Sequence, residues 1–198
     1  MTFLRQGENI MRVISGNRKG LKLKSVPGQS TRPTSDKVKE SIFNMIGPYF
    51  DGGMMLDLYA GSGAIGLESL SRGMEKAIFV DRDKKAIETI YRNIELAKAE
   101  KESEVFRAEA KRALKAIHKN NRKFDFIFLD PPYAKEQLHM DLAFIDTNNL
   151  VQVNGFIVIE HSVQVVMEEN LVSFKKVKDE KYGDTNITIF QNISKEEV

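Results

Sequence analysis

Met54-Met55-Leu56-Asp57-Leu58-Tyr59, followed by Ala60-Gly61-Ser62-Gly63-Ala64-Ile65-Gly66, reads as a buried strand, a tight turn and the start of a helix. A short apolar run bounded by glycines is strand-like. Gly61, Gly63 and Gly66 fit the spacing G-x-G-x-x-G. Glycines at such a turn let the backbone bend sharply and approach a ligand with no Cβ in the way. The spacing alone is a weak signal, because dinucleotide sites that seat a pyrophosphate on a helix N-terminus share it. Asp57 argues against phosphate. It ends the strand four residues before Gly61, where a carboxylate repels a pyrophosphate and attracts an ammonium group.

Outward from this segment the chain alternates strand and helix. The first helix ends near Gly73, and Ala77–Asp81 is a second strand. A helix follows with Ile87, Ile90, Tyr91 and Ile94 on one face. Glu104–Arg107 is a short strand, Ala110–Lys119 a helix and Phe124–Leu129 an apolar strand. A helix around Leu138–Ile145, a fifth strand at Gly155–Glu160, and a closing pair at Phe174–Lys181 and Asn186–Gln191 complete the pattern. Repeated β-α units predict a mostly parallel sheet covered on both faces. The last two strands have no long helix between them, so the expected fold is α/β with seven strands and an antiparallel C-terminal edge.

Before the central segment, residues 11–26 alternate, with Leu21 and Leu23 on one side and Lys22 and Lys24 on the other. Ser15-Gly16-Asn17 provides a turn, so a small β-hairpin is predicted. Pro27-Gly28 ends it. Thr34 or Ser35 can then cap a helix carrying Val38, Ile42, Met45 and Ile46. The division predicted is a basic N-terminal arm over residues 1–30 and a catalytic domain over 31–198.

The chemistry lies at the carboxyl ends of the strands, where open α/β sheets bind ligands. Asp57 can meet the ammonium of S-adenosylmethionine directly or through water, and that cofactor carries no phosphate. Asp81 ends the second strand and can accept both hydroxyls of a ribose. Asp83 is placed to cap the following helix. Glu109 and the Ala110 backbone can reach an adenine amino group, although a solvated helix-start glutamate explains Glu109 as well. Ala60 and Arg82 border these positions and complete the candidate cofactor set. After the fourth strand comes Asp130-Pro131-Pro132-Tyr133. Two prolines after a carboxylate fix the backbone and remove two N–H donors. The Asp130 carboxylate and the Pro131 carbonyl can each accept one hydrogen of an amino group. An amine on an aromatic base is a poor nucleophile, because its lone pair is spread into the ring. Drawing both hydrogens aside frees that pair for in-line methyl transfer, with orientation and electrostatics as the aids. Tyr133 offers a stacking face for an unpaired or flipped base.

Composition agrees with a nucleic-acid partner. The 198 residues have a net charge of only +2, but residues 1–50 hold nine Lys/Arg against three Asp/Glu and the remainder 21 against 25. A basic arm on an acidic body fits a polyanion, with Arg12, Arg18, Lys19, Lys22 and Lys24 as its contacts. There is no cysteine, which excludes disulfides and thiolate metal sites. His118, His139 and His161 lack metal-ligand spacing, so no metal is expected. The opening MTFLRQGENI has no secretory h-region, and no apolar run reaches the roughly 18 residues of a membrane span. A cytoplasmic protein, monomeric and away from membranes, is the expectation.

Met11-Arg12-Val13-Ile14-Ser15-Gly16, Thr31-Arg32-Pro33-Thr34 with the helix through Phe43-Asn44, Leu56–Gly63, Phe79–Asp81, Phe128–Tyr133 and Tyr182-Gly183-Asp184-Thr185 together resemble the RsmD family. That family comprises bacterial 16S ribosomal RNA guanine-N2 methyltransferases. The resemblance covers roughly residues 11–190. It implies a Rossmann-like class I methyltransferase fold with an N-terminal β-hairpin. The implied methyl donor is S-adenosylmethionine, leaving S-adenosylhomocysteine. The implied acceptor is one guanine of 16S rRNA within an assembling small subunit and its proteins. By the same resemblance, Asp130, Pro131, Pro132 and Tyr133 carry the amino-group chemistry, and Asp57, Gly61, Gly63 and Asp81 the cofactor. Arg32 and Thr34 lie near the target base. The chain departs from the family pattern at Asp81, where a glutamate is frequent, and at Glu109, where an aspartate is usual. Residues 1–10 precede the family's usual start, which makes Met11 a candidate native start.

Four rivals remain at this stage. A DNA adenine-N6 or cytosine-N4 methylase shares the acceptor corner but usually carries a larger target-recognition region. A protein-glutamine methyltransferase usually has Asn where Asp130 stands. A dehydrogenase is disfavoured by Asp57. A ribosome-assembly RNA-binding module without catalysis is disfavoured by the complete Asp130–Tyr133 set. The role of Glu160, at the end of the fifth strand, stays open between packing and shaping the site.

Overall fold

Met54–Asp57 (β1) lies at the centre of a seven-stranded sheet in a computed structural model that describes residues 11–28, 34–131, 135–167 and 171–193. The other strands are Lys76–Asp81 (β2), Ser103–Arg107 (β3), Phe124–Leu129 (β4), Val151–Ser162 (β5), Phe174–Tyr182 (β6) and Thr185–Asn192 (β7). Their order is β3-β2-β1-β4-β5-β7-β6. The first five are parallel, and β7 runs antiparallel to both β5 and β6. The α/β reading with an antiparallel edge is therefore what the chain adopts. Strand order reverses between β1 and β4, and the crevice outside their carboxyl ends is the usual ligand position in such sheets.

Among the described residues, five α-helices cover the sheet: Asp36–Ile46 (α1), Ala64–Ser71 (α2), Lys84–Ala97 (α3), Ala110–Lys119 (α4) and Lys135–Thr147 (α5). Alternation along each strand sorts the core into two faces. Met55, Phe79, Phe126, Phe128 and Val158 pack with α1, α2 and α3. Leu56, Ile78, Ile127, Leu129 and Ile159 pack with α4 and α5. The fit on the first face is close at Gly66, where an added Cβ would lie 2.2 Å from the Phe79 ring. None of the helices described is long and apolar enough to cross a membrane.

Several local expectations need adjustment. Ser35, rather than Thr34, caps α1 by accepting from the Val38 N–H. Asp83 caps α3 as its position implied, accepting from the Ala86 N–H at 2.9 Å. Tyr91 does not share the buried face with Ile90 and Ile94; it is 55% exposed. The helical pattern placed the ring at the border of the apolar stripe, where its polar tip can stay in water. Strand β5 starts four residues before Gly155, and an irregularity in its pairing with β4 between Phe124 and Phe126 absorbs the difference.

The N-terminal hairpin exists but is narrower than a two-stranded ribbon. The Val13 N–H donates to Leu21, the Leu23 N–H to Met11, and Arg12 forms a lone antiparallel bridge with Lys22. The turn does not extend this ladder because its donors go elsewhere. The Ile14 and Ser15 N–H groups donate to the Glu68 carboxylate on α2, at 2.7 and 3.0 Å. The Asn17 and Arg18 N–H groups donate to the carbonyl and hydroxyl of Ser71. Gly16 adopts φ +82° and lies so close to α2 that a Cβ would sit 1.7 Å from the Ser71 carbonyl oxygen. Met11, Val13 and Leu23 are buried in the same core as the sheet, each contributing at most about 1.5–3 kcal/mol.

Candidate functional site

Three carboxylates mark the carboxyl edge of the sheet on the face that α1 covers. Asp57 ends β1 and pairs in register with Phe128 of β4, which pairs with Val158 of β5. Two residues further along, Asp130 and Glu160 follow the last registered pair, Leu129 and Ile159. Alternation from Phe128 and Val158 puts both acids on the side where Asp57 projects.

Asp57 is fully withdrawn from water and accepts the Gly66 N–H at 3.2 Å, tying the strand end to α2. Burial raises its carboxyl from 3.8 to about 7; the Gly66 N–H opposes the rise and the nearby Asp81 charge adds to it. Asp130 also lies above the usual carboxylate range. Burial against the strand ends comes first among the causes, followed by the charges of Glu160 and Asp57. The residue nevertheless presents surface to solvent, so the repulsion from its two acidic neighbours is the firmer cause. Glu160 is raised by burial, opposed by a hydrogen bond that the Thr34 hydroxyl donates at 2.6 Å. Like-charged groups collected in a cleft with shifted pKa values characterise functional sites.

The glycine loop is held from below by Asp81. One of its oxygens accepts the Gly61 N–H at 2.9 Å and the other the Asp83 N–H at 2.8 Å. Each oxygen keeps a second lone pair. Space beside Gly61 is open, with no atom within 4 Å of where a Cβ would stand. Ala60 is buried and joins the loop to β2 through Val80. Arg82 and Glu109 form an exposed ion pair of 3.5 Å at the rim. Glu109 occupies the cap position of α4 without a side-chain cap bond, and Ala110 behind it is buried. The arrangement presents anionic oxygens, two further acceptors at Asp81 and an open glycine turn. This donor set fits a cationic, phosphate-free nucleoside. No group of three or more His, Asp or Glu able to hold a metal ion occurs among the described residues.

Asp130 and Pro131 follow β4 at this crevice, and Thr34 reaches it just before α1. Arg32, Pro132 and Tyr133 lie outside the described residues. The cations of the hairpin divide into two groups. Arg18 is turned inward: its guanidinium donates to the Ala97 carbonyl at 2.8 Å and to Glu102 at 2.5 Å. Lys19, Lys22 and Lys24 are exposed, and Arg12 is exposed while paired with Asp36 at 2.8 Å. A cavity of about 460 Å³ lies between hairpin and α1, lined by Arg12, Ser15, Lys19, Asn44 and Tyr49 among others. Tyr49 is 62% exposed, and its hydroxyl is hydrogen-bonded to Ser15.

Two linking residues escaped the sequence reading. Asn93 on α3, fully buried, donates to the carbonyls of Lys24 and Ser62 and accepts the Lys24 N–H. It therefore ties the hairpin to the glycine loop. Glu68 holds the hairpin turn and Arg72 together. The signal for Glu68 was present in the sequence: a lone acid in an apolar helix with an arginine four residues on.

Residues 11–191 match the family model described as conserved hypothetical protein 95. The YlbH protein of Bacillus subtilis (strain 168) is 52% identical over 181 residues, covering 91% of this chain and 98% of its own. The protein named ribosomal RNA small subunit methyltransferase D in Haemophilus influenzae is 31% identical, covering 92% of this chain and 94% of its own. The solved structure of the yhhF protein from Escherichia coli superposes with a TM-score of 0.79 at 26% identity, over 94% of this chain and 99% of that one. The chain belongs to the RsmD family, whose members include proteins named as small-subunit ribosomal RNA methyltransferases.

Proposed function

We propose that this protein transfers a methyl group from S-adenosylmethionine to the exocyclic N2 amine of a guanine in small-subunit ribosomal RNA. The observation that carries the chemistry is the Asp130-Pro131 corner on the strand next to the Asp57 loop. The choice of RNA rests on relatives named for the small ribosomal subunit, at 30–32% identity.

The cofactor supplies an electrophilic methyl group on a sulfonium centre. Asp57 would hold its ammonium end, directly or through water. Gly61 and Gly63, with Ala60, would let the backbone lie against it. Asp81 would accept the ribose hydroxyls with the lone pairs that the loop leaves open. Arg82, Glu109 and Ala110 would border the adenine, with the Arg82–Glu109 pair as an exposed rim.

On the acceptor side, Asp130 would accept a hydrogen bond from one amine hydrogen and the Pro131 carbonyl from the other. The nitrogen lone pair then points away from the ring and toward the methyl donor. As the new N–C bond forms, the methyl group's bond to sulfur would break with its electron pair left on sulfur; the nitrogen would then carry one proton too many, and Asp130 is placed to receive it and pass it to water. Its raised proton affinity suits that step. From the sequence, Pro132 would stiffen the corner and Tyr133 would offer the base a stacking face. Arg12, Lys19, Lys22 and Lys24 form the phosphate-facing surface, with Arg32 and Thr34 nearer the base. The cavity beside Tyr49 widens that surface. Arg18 serves by fixing the hairpin that displays the others.

The test is transfer of labelled methyl groups to small ribosomal subunits from cells lacking the modification, followed by nucleoside analysis. N2-methylguanosine is the expected product. Label in N6-methyladenosine, in protein or in DNA alone would overturn the reading.

A further inference from the structure

We infer that Glu160, positioned by Thr34, is the specificity-determining residue that selects guanine by accepting its N1–H beside the amine held at Asp130. The inference rests on the guanine-N2 reading and explains which feature of the site enforces it.

The placement follows from register. Leu129 and Ile159 are paired on adjacent parallel strands, so Asp130, just past the end of β4, lies beside Glu160, which β5 still holds in the sheet against Ile187 of β7. Neighbouring strands run roughly 4.8 Å apart, a spacing at which two carboxylates can meet adjacent donors on one base edge. The charge of Glu160 contributes directly to the upward shift at Asp130.

The hydrogen bonding is incomplete in a telling way. One Glu160 oxygen accepts from the Thr34 hydroxyl at 2.6 Å. Among the described residues no donor reaches its other oxygen, none reaches the Asp130 carboxylate, and no cation pairs with either. Asp130 faces solvent and Glu160 is half-buried, so water can serve both in the free protein. A base that displaces that water must offer N–H groups in its place. Exocyclic amines on adenine and cytosine stand beside a ring nitrogen that is an acceptor. The guanine amine stands beside N1–H, a donor. A carboxylate facing the ring nitrogen therefore welcomes guanine and sets lone pair against lone pair with the other two. Sites built to satisfy a particular donor reject analogues lacking it far more strongly than apolar pockets do.

The experiment uses small-subunit RNA carrying either guanine or 2-aminopurine at the position the wild-type enzyme methylates. The base is introduced by splinted ligation, and the RNA is assembled into subunits. 2-Aminopurine keeps the amine, but its N1 is an acceptor. Single-turnover methylation by the wild type should favour guanine by about 10²-fold or more. Glu160→Gln offers an amide N–H to N1, so its preference should collapse to within about tenfold, mainly by loss of the guanine rate. Thr34→Val should lower the guanine rate less, and Thr34→Ser should restore it, because only the hydroxyl matters. Cofactor affinity and Tm are measured alongside, to show that each variant is folded. A Glu160→Gln enzyme that keeps the wild-type guanine preference would overturn this inference alone. Failure of the wild type to form N2-methylguanosine would overturn the function reading and this inference with it.

Discussion

Glu68 and Glu160 are both carboxylates drawn into the α1 side of the molecule, and their surroundings differ in kind. Glu68 accepts three hydrogen bonds, from two hairpin N–H groups and from Arg72 at 2.7 Å. Arg72 in turn donates to the Pro48 carbonyl and lies 4.6 Å over the Phe43 ring. Lys39 completes the group by donating to the Arg12 carbonyl at 2.6 Å, its pKa lowered chiefly by burial. Around Glu160 the balance is reversed: Asp57, Asp130 and Glu160 gather negative charge with few donors. A buried charge whose partners lie within the chain fastens the fold. Acids gathered at a cleft that opens to solvent, with few partners within the chain, point to a ligand. One cluster docks the hairpin; the other is the one proposed to meet the reacting groups.

Substitutions should separate the two clusters cleanly. The largest effect belongs to Asp130→Ala. We expect single-turnover methylation to fall by about 10³-fold or more, with Tm unchanged or higher and cofactor affinity nearly intact by calorimetry. Near-normal turnover would remove Asp130 from the chemistry. Glu68→Ala should do the opposite. Leaving Arg72 buried and unpaired costs about 3–5 kcal/mol, read in urea unfolding, and activity lost in that variant should track the fraction unfolded.

Asp57 sharpens the comparison through pH. Its carboxyl moves from 3.8 unfolded to about 7 folded. Between those values the folded, ligand-free protein holds a proton that the unfolded chain releases. This group's contribution to stability is therefore full at low pH and is lost as pH rises through about 7. Asp57→Asn should raise the Tm of the free protein at pH 8 while weakening the cofactor. In the wild type, cofactor affinity should fall as pH drops below about 7, by up to tenfold per unit, because the ammonium needs the ionised form. A flat affinity between pH 5 and pH 8, checked by calorimetry at about half-unit steps, would break the link.

Much of this was legible in the sequence, and the limits have physical causes. The strand ends Asp57, Asp81 and Asp130 were readable because apolar runs deliver them to one edge. The antiparallel closure was readable from the missing crossover helix. Glu160 was undecided because its meaning depends on Asp130 beside it, and register across two strands is not written in either one alone. The hairpin was legible as alternation. Its docking was not, because that depends on backbone donors meeting side chains of Glu68 and Ser71 more than 50 residues away. For the same reason Arg18 looked like an RNA contact, although its partners are Glu102 and Ala97.

The smallest expected effect distinguishes displayed from committed cations. Replacing Lys19, Lys22 and Lys24 with glutamine should flatten the log–log salt dependence of RNA binding by about 2, at roughly 0.7 per phosphate contact, and leave Tm in place. Arg18→Gln should lower Tm and change the salt slope less. Equal slopes for the lysine variant and the wild type would show the hairpin surface to be merely solvated.

The central claim is that the donor-poor carboxylate cluster methylates one guanine of the small-subunit RNA. Its most direct test is mass-spectrometric mapping of ribosomal RNA from a strain lacking this gene, complemented in parallel with wild type and with Asp130→Ala. The account predicts loss of one N2-methylguanosine in the deletion strain, its return with the wild type and its continued absence with the variant. An unchanged map in the deletion strain, or full restoration by Asp130→Ala, would contradict it.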